Sequence, residues 1–221
     1  MEENLEIVVG DKQLHGILTK PNQFSSWSKY AVIITHGAGG DINNTHLIRI
    51  TEKLVYYGFI VLRFTCKPPN FQFRVKCYRA VLEYCKENVD VTGCILAGRS
   101  MGGRVAAEVA SSCLNLASFI YGVACISYPL HRLKQFADLR TSHLLHLSVP
   151  TFIINGTKDS MCKKELMDQL IQKMSCSVTM HWVKEADHSL KLKGKYSEEI
   201  VENMCDWFAT WCQLVFAVEK S

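Results

Sequence analysis

The chain has 221 residues, 48% of them hydrophobic and 21% charged, with a formal net charge of +4. These proportions are ordinary for a soluble globular protein and exclude the disordered, collagen-like and coiled-coil classes. The small, dispersed positive charge lacks the basic stripe of a nucleic-acid binder, and the nearest cluster, Lys191, Lys193 and Lys195, reads as a solvated loop.

In chain order, residues 6–9 and 14–18 read as an antiparallel hairpin around the turn dipeptide Gly10-Asp11. Tyr30–Thr35 is a continuous apolar, β-branched run, the pattern of a strand buried on both faces. After a Gly-rich turn, residues 45–57 place Leu47, Ile50, Leu54 and Val55 at helical spacing. Residues 59–64 form the next predicted strand and residues 71–86 the next helix. Residues 94–97 form a short strand running into Gly98-Arg99-Ser100-Met101-Gly102-Gly103, and residues 105–114 are expected to be helical. Residues 119–127, 151–155 and Val178–Val183 supply further strands, with helices near 163–174 and 198–215. Strand and helix alternate almost throughout, which predicts a mostly parallel sheet of about seven to eight strands with helices on both faces. No linker or repeat interrupts the alternation, so a single domain over residues 1–221 is expected. Such sheets carry their sites in loops at the carboxyl ends of the strands.

Three of those ends carry reactive side chains. Gly98-x-Ser100-x-Gly102, between a strand and a helix, matches a nucleophile elbow, a turn so tight that a β-carbon at either glycine position would clash with the neighbouring strand or helix. Asp159 follows the strand at 151–155 and His188 follows the strand at 178–183. The order Ser, Asp, His is the one used by the α/β-hydrolase fold. Ser100 is therefore the candidate nucleophile, His188 the base and Asp159 the acid that orients it. Asp187 is the alternative orienter, though a sequence neighbour seldom faces the same ring. The blander alternatives are a Gly-rich packing turn, a helix N-cap at Asp159 and a surface histidine at 188.

His36-Gly37-Ala38-Gly39-Gly40 closes the Tyr30–Thr35 strand, where this fold draws one oxyanion-hole amide. We expect the amides of Ala38 and Met101 to serve, with Gly37 or Gly39 as alternatives to Ala38. His36 is expected to hold the loop by a ring hydrogen bond. The implied chemistry is acyl transfer to water through an acyl-enzyme, with no cofactor and no metal. It needs an unprotonated histidine, so activity is expected to climb with pH. The interval from Tyr128 to Pro150 is too short for a large cap domain. Leu130, Leu133, Phe136, Leu144 and Leu145 within it suit either an acyl pocket or ordinary packing, and Tyr128 and His131 read as a structural turn. An open site favours small esters or thioesters. A short-peptide substrate would need a charged anchor, for which Lys191 and Arg132 are weak candidates.

Ten cysteines fall mostly in apolar runs, with no C-x-x-C pair and no zinc spacing. The N-terminus, Met1-Glu2-Glu3-Asn4, lacks a signal-peptide pattern, and no apolar run is long enough to cross a membrane. The sequons at Asn43 and Asn155 are then chance matches, and a cytoplasmic location is expected, with nuclear entry left open. The expected partner is a small-molecule acyl substrate, with neither nucleic acid nor membrane.

Several longer motifs are more specific: H-G-A-G-G-D at 36–41, L-R-F-T-C-K at 62–67, G-R-S-M-G-G-R at 98–104, C-I-S-Y-P-L-H at 125–131, D-S-M-C at 159–162 and A-D-H-S-L at 186–190. With these the chain resembles the testis-expressed protein 30 family. Those are small predicted hydrolases whose α/β-hydrolase-like domain also occurs in a subunit of a nuclear histone-acetyltransferase complex. The resemblance runs from Tyr30 to the C-terminus. It implies the same fold and places the triad on Ser100, Asp159 and His188, with Arg99 and Met101 also matching, but implies no substrate. A scaffold protein with silent hydrolase architecture is the competing expectation. The Pro68-Pro69 pair departs from the pattern and is expected to reshape a pocket wall.

Overall fold

The computed structural model describes residues 1–67 and 69–217. The chain opens with β1 (Glu2–Val9) and β2 (Lys12–Thr19), an antiparallel hairpin turning at Gly10, where φ is 64°. β3 (Tyr30–Thr35) follows, with all six residues buried. Its side chains alternate: Ala31 and Ile33 pack into one hydrophobic cluster and Tyr30, Val32 and Ile34 into the other. That is the period-2 geometry of a strand sandwiched between two helical layers.

α1 (Thr45–Tyr56) starts at Asn44, whose side chain accepts from the His46 amide, and buries Leu47, Ile50 and Leu54. β4 (Ile60–Phe64) leads to α2 (Phe71–Asn88), capped by Asn70 accepting from the Phe73 amide. β5 (Gly93–Arg99) is followed, after the single residue Ser100, by α3 (Met101–Ser112). β6 (Ile120–Ile126) comes next. The connection beyond it holds a small hairpin, β7 (His131–Arg132) with β8 (Gln135–Leu139), and one turn of helix, α4 (Ser142–Leu145). β9 (Thr151–Gly156), α5 (Lys164–Ile171), β10 (Val178–Val183) and α6 (Glu198–Ala217) complete the chain.

The main sheet has eight strands in the order β1-β2-β4-β3-β5-β6-β9-β10. β2 pairs antiparallel with β1 and with β4, and every other neighbour is parallel. α2, α3 and α5 cover one face, and α1 and α6 cover the other. Phe216 of α6 stacks on Tyr30 at 4.0 Å between centroids and also meets Phe59 and Tyr121. Burying each such aromatic contributes about 1.5–3 kcal/mol. No helix of the described residues is long and apolar enough to cross a membrane.

Two local expectations are corrected. α3 begins at Met101, four residues before the predicted start. Gly102 and Gly103 are helical because the helix lies so close to the sheet that a β-carbon at Gly102 would sit 2.6 Å from the Thr35 carbonyl oxygen. Tertiary packing overrides glycine's poor helix propensity here. The 128–150 interval holds a hairpin as well as the expected short helix. Leu130 and Leu144 are buried there, whereas Leu133 and Phe136 are exposed at the hairpin tip.

Candidate active site

β4 and β5 flank β3 on opposite sides, so the loops leaving β3 and β5 part from each other at the middle of the sheet. A crevice opens at such a switch point. Ser100 stands there with φ 52° and ψ −116°, a left-handed conformation that L-residues rarely adopt. The strain is held by backbone packing. A β-carbon at Gly98 would lie 2.2 Å from the carbonyl carbon of Gly102. Ser100 donates its own amide to the Ile126 carbonyl at 2.8 Å, which fixes the turn to β6.

Three strand ends converge on this serine. Ser100 Oγ lies 2.9 Å from His188 Nε2, and His188 Nδ1 lies 2.8 Å from Asp159 Oδ2. A carboxylate only accepts, so the imidazole N–H is on Nδ1 and Nε2 is free to accept from the serine hydroxyl. The Asp159 side chain is fully buried and His188 is one-fifth exposed. Asn155 Nδ2 donates to Asp159 Oδ2 at 3.1 Å, and the Met161 amide donates to Oδ1 at 2.8 Å. Asn155 is itself held by the Tyr128 backbone and is fully buried, so its sequon faces no solvent. Asp187 does not face the ring: its Oδ1 accepts from the Ser189 and Lys191 amides and closes its own turn.

The loop after β3 packs against the elbow. A β-carbon at Gly37 would sit 3.3 Å from Ser100 Cβ. Met101 opens α3, so its amide is among the helix N–H groups without an intrahelical acceptor. Ala38 lies in the exposed part of the loop and lines a cleft of about 520 Å³ with Asn44, Lys67 and Pro69. Pro68 lies outside the described residues. A second cleft, about 450 Å³, runs beside Asp159 under Leu133 and Phe136.

A family model described as an α/β hydrolase domain matches residues 28–215. The chain belongs to that family. Among solved structures it is similar to Est1E from Butyrivibrio proteoclasticus, with a TM-score of 0.80 and 15% identity over 97% of this chain and 99% of that one. It is similar to an α/β serine hydrolase homologue from Coxiella burnetii, with a TM-score of 0.75 and 20% identity over 94% and 96% of the two chains. It is also similar to an α/β serine hydrolase without lid from Xanthomonas campestris, at 0.72 and 17% over 93% and 90%. At these identities the likeness shows the α/β-hydrolase fold, here without a large cap.

Around the elbow, this hydrolase domain places arginines that periodicity could not reveal. Arg74 of α2 is buried and donates to the carbonyls of His36 at 3.2 Å, Gly37 at 3.1 Å and Ala38 at 3.4 Å. It fastens the loop from behind. Arg99 donates to the His188 carbonyl at 3.2 Å and to Ser189 Oγ at 3.4 Å, tying the histidine loop to β5. His36 holds the same loop as Arg74. Its Nε2 accepts from the Cys66 amide at 3.0 Å, so Nδ1 carries the proton and donates to the Gly37 carbonyl at 2.6 Å. His131 is likewise structural, with Nε2 accepting from the Lys163 amide and Nδ1 facing the Arg132 carbonyl.

The hydrolase domain keeps two buried histidines neutral, and this has a measurable cost at low pH. Burial, helped by the Arg74 charge, lowers His36 from 6.5 to about 4. Burial, helped by Arg99 and Lys191, lowers His46 likewise to about 4. Between these values the unfolded chain binds protons that the folded chain refuses, so stability falls as pH falls from 6.5 towards 4 and is flat above. Each histidine accounts for about 3 kcal/mol over that window. The urea midpoint is expected to drop steeply between pH 6.5 and 4.5, and less steeply in His46→Leu. A midpoint constant across that range would contradict both assignments.

Proposed function

We propose that this chain is a serine hydrolase that cleaves a small carboxylic ester or thioester through an acyl-enzyme. The observation that carries the reading is the unbroken pair of hydrogen bonds from Ser100 Oγ through His188 to Asp159, 2.9 and 2.8 Å, on a strained elbow. His188 Nε2 takes the hydroxyl proton as Ser100 Oγ attacks the carbonyl carbon, and Asp159 steadies the imidazolium that forms. The amides of Ala38 and Met101 stabilise the tetrahedral oxyanion, each such donor being worth about 2.7–4 kcal/mol. The proton returns to the departing alcohol or thiol. Water, deprotonated by the same His188 nitrogen, then releases the acid and restores Ser100. No step calls for a metal or cofactor.

The open elbow and the absence of a large cap support a small or protruding acyl group. Leu130 and Leu144 are buried in the core and Leu145 packs half-buried against it, which leaves Leu133 and Phe136 as the exposed candidates of the excursion available to a substrate. The motifs around Ser100, Asp159 and His188 support membership of the testis-expressed protein 30 family within the wider hydrolase family, as one domain over residues 1–221. Ten free cysteines, nine of them buried, support a reducing compartment, the cytoplasm or nucleus.

The test is a fluorophosphonate probe read by intact mass. Wild type is expected to label at one equivalent, and Ser100→Ala and His188→Ala to stay unlabelled. Folded wild-type protein that takes up no probe would overturn the reading in favour of a scaffold that keeps only hydrolase architecture.

A further inference from the structure

Arg104 lies one helical turn beyond the elbow, its amide 3.3 Å from the Ser100 carbonyl oxygen. Its guanidinium rests over the Phe71 ring at 4.6 Å, and Nη2 lies 3.5 Å from His143 Nε2. His143 turns its Nδ1 to Glu108 at 2.7 Å, so the nitrogen that faces Arg104 is an uncharged acceptor. Burial lowers the His143 pKa, in keeping with that neutral ring. Arg104 Nε is buried without a hydrogen-bond partner. The excursion between β6 and β9 brings two more guanidiniums to the same place. Arg140 donates to the Pro129 carbonyl at 3.4 Å, and its own carbonyl accepts from the Tyr128 hydroxyl at 2.8 Å. Arg132, exposed on the hairpin opposite Gln135, is close enough for its charge to act on both Arg104 and Arg140.

The carboxylates nearby are Glu108, taken by His143, and Asp138, exposed on β8. Among the described residues none lies within ion-pair distance of Arg104, Arg132 or Arg140. Tyr128 supplies no anion either, since complete burial pushes its phenol well above the ordinary value. Burial is the first cause that disfavours the charges of Arg104 and Arg140; Tyr128 favours both and Asp138 favours that of Arg140, while the neighbouring guanidiniums disfavour them. Two half-buried cations, Arg104 and Arg140, with the exposed Arg132 near them and no carboxylate at ion-pair distance, form a place that a bound anion would complete.

We propose that Arg104, Arg140 and Arg132 form a specificity site for a carboxylate carried on the acyl part of the substrate. The proposal rests on the acyl-transfer reading above. The amide of Met101, at the start of α3, is the proposed oxyanion donor, so the acyl carbon sits at the helix N-terminus. An acyl chain running along α3 for one turn, about 5.4 Å, brings its far end to Arg104. A guanidinium fork binds a carboxylate in two parallel hydrogen bonds, and the neighbouring cations exclude a neutral terminus by contrast. The substrate class is then a half-ester or half-thioester of a short dicarboxylic acid.

The test compares kcat/KM for two 4-nitrophenyl esters of equal length, the adipate hemiester with its free carboxylate and the corresponding methyl adipate. Wild type is expected to prefer the free acid at least tenfold. The ratio is expected to fall to about one in Arg104→Gln and in Arg140→Gln, and to be partly retained in Arg104→Lys. Because each ratio is taken within one protein, partial loss of folded material does not disturb it. A wild-type ratio of one or less, or a ratio that neither glutamine variant moves, overturns the site. Calorimetric titration of adipate into Ser100→Ala separates the two readings. Adipate binding that Arg104→Gln weakens at least tenfold upholds the anion site even where no ester is turned over. Absence of adipate binding alongside intact probe labelling of wild type overturns the anion site alone.

Discussion

Asp159→Asn is expected to lower acyl-transfer activity about 10⁴-fold while leaving the fold in place, the size of effect that loss of the orienting carboxylate has in serine proteases. The reason lies in who donates to whom. Asp159 accepts three hydrogen bonds, from His188 Nδ1 and Asn155 Nδ2 on one oxygen and from the Met161 amide on the other. An asparagine amide has one accepting end. Turned towards Met161, its NH₂ faces the Asn155 NH₂ and forces His188 into the tautomer with the proton on Nε2, which cannot receive the proton of Ser100. Turned the other way, it confronts the Met161 amide with a second donor. The first arrangement removes the accepting nitrogen from His188, and the second keeps the tautomer but sets two donors against each other at Met161 and leaves the imidazolium without its carboxylate. The rate of fluorophosphonate labelling and the turnover of a 4-nitrophenyl ester read the effect, with near-ultraviolet circular dichroism as the check on folding. A loss of less than tenfold would remove Asp159 from the proposed mechanism.

Gly98→Ala is expected to destabilise the protein by more than about 4 kcal/mol, which for many domains means no folded protein at all. The added β-carbon would meet the Gly102 carbonyl carbon at 2.2 Å, its oxygen at 2.4 Å and the Gly103 nitrogen at 2.5 Å. All three are backbone atoms of the first turn of α3, so no side chain can swing aside, and relief requires moving the helix that carries the elbow. Gly39→Ala is the matched control, because a β-carbon there has nothing within 4 Å. Thermal melting is expected to leave Gly39→Ala close to wild type and to find Gly98→Ala unfolded or melting far lower. Equal melting temperatures would mean that the elbow is looser than its packing implies.

The parts of this molecule that were legible beforehand are those with a short-range signal. Tyr30–Thr35 and Val178–Val183 agree with the structure to the residue; in the first, a run of apolar, β-branched side chains between turn residues has few other uses. Ser100, Asp159 and His188 were legible because each follows a strand, and the structure brings the three side chains together. The start of α3 was misplaced because Gly102-Gly103 reads as a turn by propensity, and only the closeness of β3 makes it helical. The β7–β8 hairpin was missed because its strands are short and mostly exposed, leaving no buried face to pattern them. Among the supporting arginines, Arg99 and Arg104 were marked only by their place in the motif at 98–104, and Arg74 by nothing. Arg74 and Arg104 sit on helices among apolar neighbours, and what they do is set by carbonyls and rings far away in sequence.

The two hydrogen bonds of the site link residues 88 and 29 positions apart, across strands that pair in parallel and so never meet through a local turn. Such contacts form only once the intervening chain has taken its course, and they carry a high entropic cost of closure. As the polypeptide is synthesised, Ser100 emerges with its elbow sequence long before Asp159 and His188 exist. Ser100 Oγ therefore meets His188 Nε2 only when β10 has docked at the far edge of the sheet, and under the proposed mechanism it is an ordinary alcohol until then. In this topology, assembling the Ser100–His188–Asp159 contacts and completing the fold are one event.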